Sequence, residues 1–266
     1  GTTTSAGSDL SSFDALQGGE TLTLSGSGTS ASANVANGIA MSSNGNLALV
    51  DGTGLASNYS LNSTVINITE RVLNSSGSKI YDANTDALAA DITLSNLVSG
   101  EALNHSGTAT ISSANAGSYT ITNLAGITIA DGSGGTASNY TLTGGTHNFT
   151  VNPKVVSIQG NKTYDGNTTI SSGDITSITD TVGAETLVIS SGSGTVSSAN
   201  AATYASAAIN EGTLTLGDGT GLASNYTLTG HAASSFQVTQ RVLSSSGSRI
   251  YDGSTTASSS DLTLSN

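Results

Sequence analysis

Aspartates that recur at fixed places are the residues of this chain best suited to binding a metal ion. Three Asp-Gly dipeptides begin at Asp51, Asp131 and Asp218, and each stands a few residues before an Ala-Ser-Asn-Tyr sequence. Calcium takes six to eight oxygen ligands, which clustered aspartates can supply. However, the chain has no Asp-x-Asp-x-Asp-Gly loop and no Gly-Gly-x-Gly-x-Asp run, and Asp-Gly is also an ordinary hairpin turn. Calcium binding and turn formation therefore both remain open for these aspartates.

The basic residues form a second candidate set, and the chain has only six of them. They fall into two groups of three that lie eight residues apart, and both groups step forward by 83 and then 87 residues. The first group is Arg71, Lys154 and Arg241, and the second is Lys79, Lys162 and Arg249. Because each group mixes Lys with Arg, an isopeptide bond, which requires a lysine amine, is disfavoured. A cation on a long apolar stem instead suits packing along a surface and pairing with a carboxylate.

Each cation of the second group stands two residues before a Tyr-Asp pair. The pairs are Tyr81-Asp82, Tyr164-Asp165 and Tyr251-Asp252. Strand alternation would put the cation and the tyrosine on one face and the aspartate on the other. The pattern therefore predicts that the cation pairs with a carboxylate from elsewhere, not with the adjacent aspartate. The tyrosines fit two roles, either rings that stack on a sugar or buried rings whose hydroxyl groups satisfy a turn.

Few residues of this chain are suited to catalysis. Cysteine is absent, and the three histidines, His105, His147 and His231, do not occupy equivalent places in the repeating pattern. No Gly-x-Ser-x-Gly sequence stands between a strand and a helix, as a serine nucleophile of that class would need. The sequence predicts that this protein is not an enzyme.

The recurring residues divide the chain into tandem units, which is the first property to settle in a repetitive sequence. The predicted boundaries are 1–70, which lacks its first strand, 71–153, 154–240, and 241–266, the start of a further unit. Both ends interrupt a unit, so we expect this sequence to be a window of a longer array. The units meet without a Gly-Ser linker. Arg71, Lys154 and Arg241 stand at these junctions, where a long side chain could bridge two units.

Short alternating segments predict the secondary structure. Examples are Tyr119-Thr-Ile121, Phe149-Thr-Val151 and Phe236-Gln-Val238. Apolar residues at alternate positions place one face of a strand on a core and leave the polar residue outside. Since turn residues separate many such segments, we predict an all-β protein. Its expected architecture is tandem small sandwich-like domains, immunoglobulin-like or β-grasp-like, joined end to end as a rod.

Charge and hydropathy narrow the classes of partner. The net charge is −12 and only 9% of residues are charged, so nucleic acid, whose phosphates require clustered Lys and Arg, is a poor partner. No apolar run approaches the roughly 18 residues that a membrane-spanning helix requires. The sequence predicts neither a nucleic-acid ligand nor a membrane span.

Three motifs in fixed order carry a resemblance to a known family. They are Lys-x-Tyr-Asp-Gly-x-Thr-Thr at 162–169, Ser-Ala-Asn-Ala-Gly-Ser-Tyr at 113–119, and Ala-Ser-Asn-Tyr-Thr-Leu-Thr-Gly at 223–230. Together they resemble the YDG and MBG-type repeats of very large bacterial surface and secreted adhesins, including filamentous-haemagglutinin-like proteins. Two positions depart from the pattern, because Ala83 replaces the motif glycine and Gly38 stands where Tyr119 and Tyr204 stand.

The resemblance implies an extracellular, surface-exposed stalk or filament that serves adhesion or biofilm formation. Its expected partners are the neighbouring repeats of the same chain. The alternative is a glycan-binding or self-associating adhesive module, with calcium as a potential cofactor and with other copies of itself or host or matrix glycans as partners.

Overall fold

The protein is all-β throughout the part of the chain that its structure describes. The structure is a computed structural model, and it describes residues 3–9, 16–62 and 64–265. Helical geometry in these residues is confined to three-residue 3-10 turns. The turns are Gly7–Asp9, Gln17–Gly19, Ala56–Asn58, Ala89–Asp91, Ala137–Asn139, Ser172–Asp174, Ser206–Ala208, Ala223–Asn225 and Ser259–Asp261. The predicted all-β class is therefore confirmed.

None of the described helical turns has the length or apolar character that a bilayer crossing requires.

The strands are short, as expected for segments in which only two or three apolar residues alternate. The first fifteen are β1 Thr4–Ala6, β2 Leu22–Ser25, β3 Ser27–Ser30, β4 Ala36–Ser43, β5 Ala48–Asp51, β6 Val65–Ile68, β7 Arg71–Val72, β8 Asn74–Ile80, β9 Asp86–Leu88, β10 Ile92–Ser95, β11 Leu103–Ile111, β12 Gly117–Asn123, β13 Ile127–Asp131, β14 Tyr140–Thr141 and β15 His147–Asn152. The others are β16 Lys154–Val155, β17 Ser157–Thr163, β18 Thr169–Ser171, β19 Ile175–Thr179, β20 Leu187–Ser191, β21 Ser193–Val196, β22 Ala202–Ala205, β23 Ile209–Asn210, β24 Thr215–Asp218, β25 Tyr226–Thr227, β26 Ser235–Thr239, β27 Ser244–Gly247 and β28 Leu262–Ser265.

The chain divides into two compact units whose borders differ from the sequence repeats. The first unit contains Gly1–Ser78, Thr85–Ser112 and Ser118–Thr150, and the second contains Lys79–Asn84, Ser113–Gly117 and Val151–Asn266. Two short loops of the repeat 71–153 are therefore grouped with the repeat that follows it. These loops carry the Tyr-Asp and the Ser-Ala-Asn motifs.

Strand order is the same in the two complete repeats, 71–153 and 154–240. The repeat 154–240 has a four-stranded sheet in the order β19-β17-β26-β22, in which β17 and β26 are parallel. The repeat 71–153 contains the matching order β10-β8-β15-β12. In the repeat 1–70 the order is β1-β3-β4-β6. Parallel neighbours need a crossover connection, so the last long strand of the repeat 154–240, β26, returns to lie beside its first long strand, β17.

Each repeat has a small apolar core centred on its last long strand. Phe149 and Phe236 are 1% and 0% exposed, and burying such a side chain stabilises a fold by about 1.5–3 kcal/mol. A glycine faces each ring, because a Cβ at Gly77 or Gly160 would lie 2.8 Å from the aromatic carbons. The chain contains few bulky residues, and the glycine lets the neighbouring strand lie close against the phenylalanine ring.

A second set of glycines bends the long strand pair. Gly26, Gly107 and Gly192 occupy equivalent places and have φ values of 82°, 102° and 90°. These φ values lie in the left-handed region that residues with a Cβ avoid. A Cβ at Gly192 would also lie 1.9 Å from the carbonyl oxygen of Thr213. In the repeat 154–240 the register of β20 against β24 shifts just before Gly192, as at a β-bulge, and the chain passes there from the sheet of β20 to the sheet of β21.

Replacing the bulge glycine should destabilise its repeat. We expect Gly192→Ala to lower the free energy of unfolding by about 1–3 kcal/mol, since it combines backbone strain with a clash against a carbonyl oxygen. The measurement is denaturant unfolding followed by circular dichroism. Gly173→Ala is the matched control in the same repeat, because a Cβ there meets nothing within 4 Å. Equal stability of the two variants would contradict this account of the bulge.

Candidate functional site: the contact between consecutive repeats

The basic residue before each Tyr-Asp pair closes the loop that follows it. The Lys162 side chain is 6% exposed, and its Nζ lies 3.0 Å from Oδ1 of Asp165. The same ammonium donates to the carbonyl oxygens of Asn167 at 2.9 Å and Thr169 at 2.8 Å, and to Oδ1 of Asn167 at 2.9 Å. A buried ammonium must find such acceptors, because its desolvation is otherwise costly.

The same clamp forms in the other two repeats that carry the motif. Lys79 Nζ lies 2.8 Å from Oδ1 of Asp82 and donates to the carbonyl oxygen of Asn84 at 2.9 Å. Arg249 lies 3.1 Å from Oδ1 of Asp252. The prediction that the cation avoids the adjacent aspartate is therefore wrong. Strand alternation fails because β8 ends at Ile80 and β17 ends at Thr163, so the chain turns before it reaches the aspartate.

Asp82 and Asp165 are held in their ionised form by the loop. The backbone N–H of Asn167 and the ammonium of Lys162 both donate to Asp165 and lower the pKa of its carboxyl group. For Asp82, burial raises the pKa, but the hydrogen bond from Lys79 and that from Asn84 outweigh burial, so the pKa is lowered. The ion pair and the hydrogen bonds to the backbone together define the conformation of the Tyr-Asp loop.

A tyrosine of the Ala-Ser-Asn-Tyr motif ties together the other end of each repeat. Its hydroxyl group donates to a glutamate about forty residues earlier and accepts a backbone N–H from the same loop. The donor and acceptor pairs are Tyr59 with Glu20, Tyr140 with Glu101, and Tyr226 with Glu185. The N–H donors to these hydroxyl groups are those of Gln17, Val98 and Val182. Tyr140 and Tyr226 are buried rings whose hydroxyl groups satisfy a turn, as one of the two interpretations held, whereas Tyr59 is half-buried.

Tyr81 connects two consecutive repeats within the second compact unit. It belongs to the repeat 71–153, yet its hydroxyl donates to Oε1 of Glu185 at 2.8 Å. Its ring meets the ring of Tyr226 edge-on, with centroids 5.3 Å apart and an interplanar angle of 79°. Edge-to-face pairs contribute about 0.5–1.5 kcal/mol beyond the area they bury. Because Tyr81 is only 5% exposed, it is enclosed by the following repeat.

A pair of asparagines, Asn115 and Asn225, completes this contact. Oδ1 of Asn225 accepts the backbone N–H of Ala116 at 2.8 Å, while its Nδ2 donates to Oδ1 of Asn115 at 3.0 Å. Asn225 is 1% exposed, so its side of both bonds is shielded from water, while Asn115 is exposed. Ser113 positions its partner, because its hydroxyl oxygen accepts the backbone N–H of Asn115.

The asparagine pair recurs in the first compact unit with the same atoms. Oδ1 of Asn139 accepts the backbone N–H of Val35 at 2.8 Å, and its Nδ2 donates to Oδ1 of Asn34 at 2.9 Å. Here Asn34 belongs to the repeat 1–70 and Asn139 to the repeat 71–153. Two junctions of this chain are thus built from the same Ala-Asn and Ser-Asn-Tyr motifs. We call the asparagine pair, together with the tyrosine-binding glutamate, the inter-repeat lock.

The aspartates considered for calcium form turns in the structure. Oδ1 of Asp51 accepts the backbone N–H of Ala56 at 2.6 Å, and Asp131 and Asp218 do the same for Ala137 and Ala223 at 2.7 Å. Among the described residues, no group of three or more His, Asp or Glu side chains is placed to hold a metal ion.

Two of the three cations of the first group lie in the first strand of their repeats. Arg71 and Lys154 begin β7 and β16, which pair in parallel with the Tyr-Thr strands β14 and β25. Arg71 donates from Nε and Nη2 to Asn96 of its own repeat, at 2.5 and 2.8 Å, while its side chain also lines a cleft shared with the repeat 1–70. Arg241 is exposed.

Sequence reasoning missed the partnership between the asparagines. Both motifs were visible as repeats, but 104 to 110 residues separate the bonded groups. The available signal was the recurrence of Ala-Asn and Ser-Asn-Tyr in the successive repeats, 24 or 25 residues apart in each. The tyrosines at 164 and 251 are 40% and 91% exposed, so of the three Tyr-Asp tyrosines, Tyr81 alone is buried in the described structure.

Comparison with known proteins identifies one domain class. Residues 68–149 match the family described as YDG domain, so the all-β chain contains a YDG-type domain. No curated protein and no solved structure matches the chain.

At the position that follows Tyr-Asp, we expect glycine to give a more stable repeat than alanine. Ala83 has a φ of 64°, and its counterpart Gly166 has a φ of 83°. Left-handed geometry costs a residue with a Cβ about 1–2 kcal/mol, partly offset by the greater freedom of glycine in the unfolded chain. We expect Ala83→Gly to raise the free energy of unfolding and Gly166→Ala to lower it, each by about 0.5–1 kcal/mol. Denaturant titration of both variants checks this, and a loss of stability in both would refute it.

The lock should weaken at alkaline pH. Burial and the hydrogen bond to Glu185 raise the pKa of Tyr226 to about 12, and the same causes raise the pKa of Tyr81. A raised phenol pKa contributes stability below pH 10 that is lost as the pH rises towards 12. We expect the free energy of unfolding to fall from pH 9 to pH 11.5, and to fall less in Tyr226→Phe. A pH dependence equal in the two proteins would show that these phenols are not responsible.

Proposed function

We propose that these repeats form the shaft of an extracellular fibre of a bacterial adhesin, which projects or builds a surface filament for adhesion or biofilm formation. The observation that carries the proposal is the inter-repeat lock, whose asparagine pair recurs with the same atoms at two successive junctions. A contact encoded by motifs present in each repeat can be propagated along an array of any length. In this proposal the repeats act as a spacer, and the length of the shaft follows from the number of repeats.

The short connections between repeats support a stiff shaft. Strand β15 ends at Asn152 and β16 begins at Lys154, so Pro153 alone separates them. Proline fixes its own φ and removes one freedom from the connection. Between β6 and β7 only two residues intervene. We therefore propose small sandwich-like domains that stand end to end as a rod, joined by connections too short to act as flexible linkers.

The rival function is recognition of a glycan or of another copy of the chain. Sugar binding by aromatic residues requires an accessible ring face. Tyr81, Tyr140 and Tyr226 are 3–5% exposed, and their hydroxyl groups are already bonded to glutamates. These rings are used for packing, which favours the shaft over a sugar site built on them.

Small-angle scattering should reveal an elongated particle. A single compact globule of this length would have a radius of gyration near 18 Å, and we expect a clearly larger value for repeats placed end to end. A radius close to that of a globule would overturn the rod.

The lock predicts a difference between two asparagines of the same motif. We expect Asn225→Ala to broaden the distribution of angles between the last two complete repeats in electron micrographs, because it removes both bonds across the junction. Asn58→Ala is the matched control, since Asn58 occupies the equivalent place but is exposed. An unchanged angular distribution in Asn225→Ala would argue against the lock. Saturable binding of the wild-type chain to a glycan array would favour the rival function.

A further inference from the structure

The cation before each Tyr-Asp pair is matched to the side chain that stands five residues after it. Where the cation is lysine, the matching residue is asparagine, and where it is arginine, the matching residue is serine. The lysine pairs are Lys79 with Asn84 and Lys162 with Asn167, and the arginine pair is Arg249 with Ser254. An isopeptide bond was disfavoured because the cation position also accepts arginine. Since the asparagine changes together with the lysine, that objection applies only to the repeat with arginine.

In both lysine repeats the amine and the side-chain amide are in direct contact. Nζ of Lys79 lies 2.7 Å from Oδ1 of Asn84, and Nζ of Lys162 lies 2.9 Å from Oδ1 of Asn167. The carbonyl carbon of each amide is one covalent bond beyond that oxygen. The two lysine side chains are 8% and 6% exposed, so burial keeps each amine beside its amide. Two groups held together in this way react faster, because their encounter costs no further entropy.

A carboxylate contacts both of these groups at each site. Oδ1 of Asp165 lies 3.0 Å from Nζ of Lys162, and its Oδ2 accepts a hydrogen bond from Nδ2 of Asn167 at 2.8 Å. Asp82 makes the same two contacts in its own repeat, both at 2.8 Å. A carboxylate placed between an amine and a leaving group can move protons from one to the other. Both aspartates are exposed, so a released molecule has a direct path to solvent.

We propose that lysine and asparagine join as an isopeptide bond in each of the two lysine repeats, with the aspartate transferring the protons. In the repeat 154–240, a proton of the Lys162 ammonium passes to Asp165, and the freed amine attacks Cγ of Asn167. The bond from Cγ to Nδ2 then breaks. Of the three ammonium protons, one stays on the new amide and two pass in turn through the carboxylate to Nδ2. An ammonium and a primary amide thus become a secondary amide and a free ammonium ion, and no oxidant is consumed.

The ion pair between lysine and aspartate is the state before the reaction. Burial disfavours charged groups, so the neutral amine and carboxyl group that the attack requires are easier to reach here than in water. Each site reacts only once, and the released ammonium ion is lost to solvent, so even a slow reaction goes to completion.

The bond would close the Tyr-Asp loop covalently. In the repeat 71–153 this loop holds Tyr81 against Glu185 of the following repeat. A covalent link removes conformations from the unfolded chain and so favours the folded loop. The inference rests on the geometry of the loop, and it requires neither an extracellular location nor a role in adhesion.

The mass of the intact, full chain tests the proposal. We expect the wild type to be lighter than the mass calculated from its sequence by two molecules of ammonia. Lys162→Arg combined with Asn167→Ser copies the natural pair of Arg249 and Ser254, which keeps the clamp without a reactive amine. This double variant should be lighter than its own calculated mass by one molecule of ammonia. Asp165→Asn should show the same single loss, because a side-chain amide does not take up the proton.

Trypsin digestion of the denatured chain locates the bonds. Trypsin requires a free lysine side chain, so the wild type should resist cleavage after Lys79 and Lys162 and should be cleaved after Arg249. The double variant should be cleaved at position 162. A wild-type mass equal to the calculated mass would overturn the proposal. Loss of ammonia with both lysines still cleaved would also overturn it, because that result indicates ring closure at an Asn-Gly pair such as Asn44-Gly45.

Discussion

The need to satisfy a nearly buried ammonium governs the architecture around it. Lys162 lies at the end of a core strand with its side chain 6% exposed, where an unpaired charge would be strongly destabilising. The loop after the strand supplies carboxylate and carbonyl oxygens on every accessible side. This requirement makes the chain turn back at Tyr-Asp, demands a left-handed residue directly afterwards, and fixes the direction in which the preceding tyrosine points. In the repeat 71–153 that direction leads into the next repeat.

Glycine performs a structural role that large side chains would perform in a richer core. With three Phe and no Trp in the chain, each complete repeat closes around one phenylalanine, and the backbone must approach the ring closely. Gly77 and Gly160 permit that approach, and the bulge glycines let one strand serve two small sheets. The repeats therefore gain density from backbone proximity, consistent with interiors that are packed as tightly as organic crystals.

The junction between repeats relies on paired amides and phenols, with little charge. An amide that both donates and accepts specifies orientation, because a shift of one residue would break both bonds at once. Asn225 is buried enough for this to matter, since an unmade hydrogen bond in such a place costs about 1–3 kcal/mol. Glu185 accepts hydrogen bonds from the hydroxyl groups of both Tyr81 and Tyr226. The same carboxylate therefore takes part in a contact within its own repeat and in the contact with the previous repeat.

The all-β class and the repeat period could be predicted from the sequence alone, because they depend on local alternation. Turn formation, which depends on local turn chemistry, was one of the two roles that the sequence left open for Asp51, Asp131 and Asp218. The sequence also showed that the six cations and the Tyr-Asp pairs recur together with the same spacing. Tertiary structure decided which groups meet. The pairing of Asn34 with Asn139 spans 105 residues, which no local pattern encodes. The partner of Lys79 was mispredicted because alternation was carried past Ile80, where the strand ends. Strand alternation applies only within a strand. The residues that join the repeats lie in the loops that follow the strands, where alternation no longer predicts which side a residue faces.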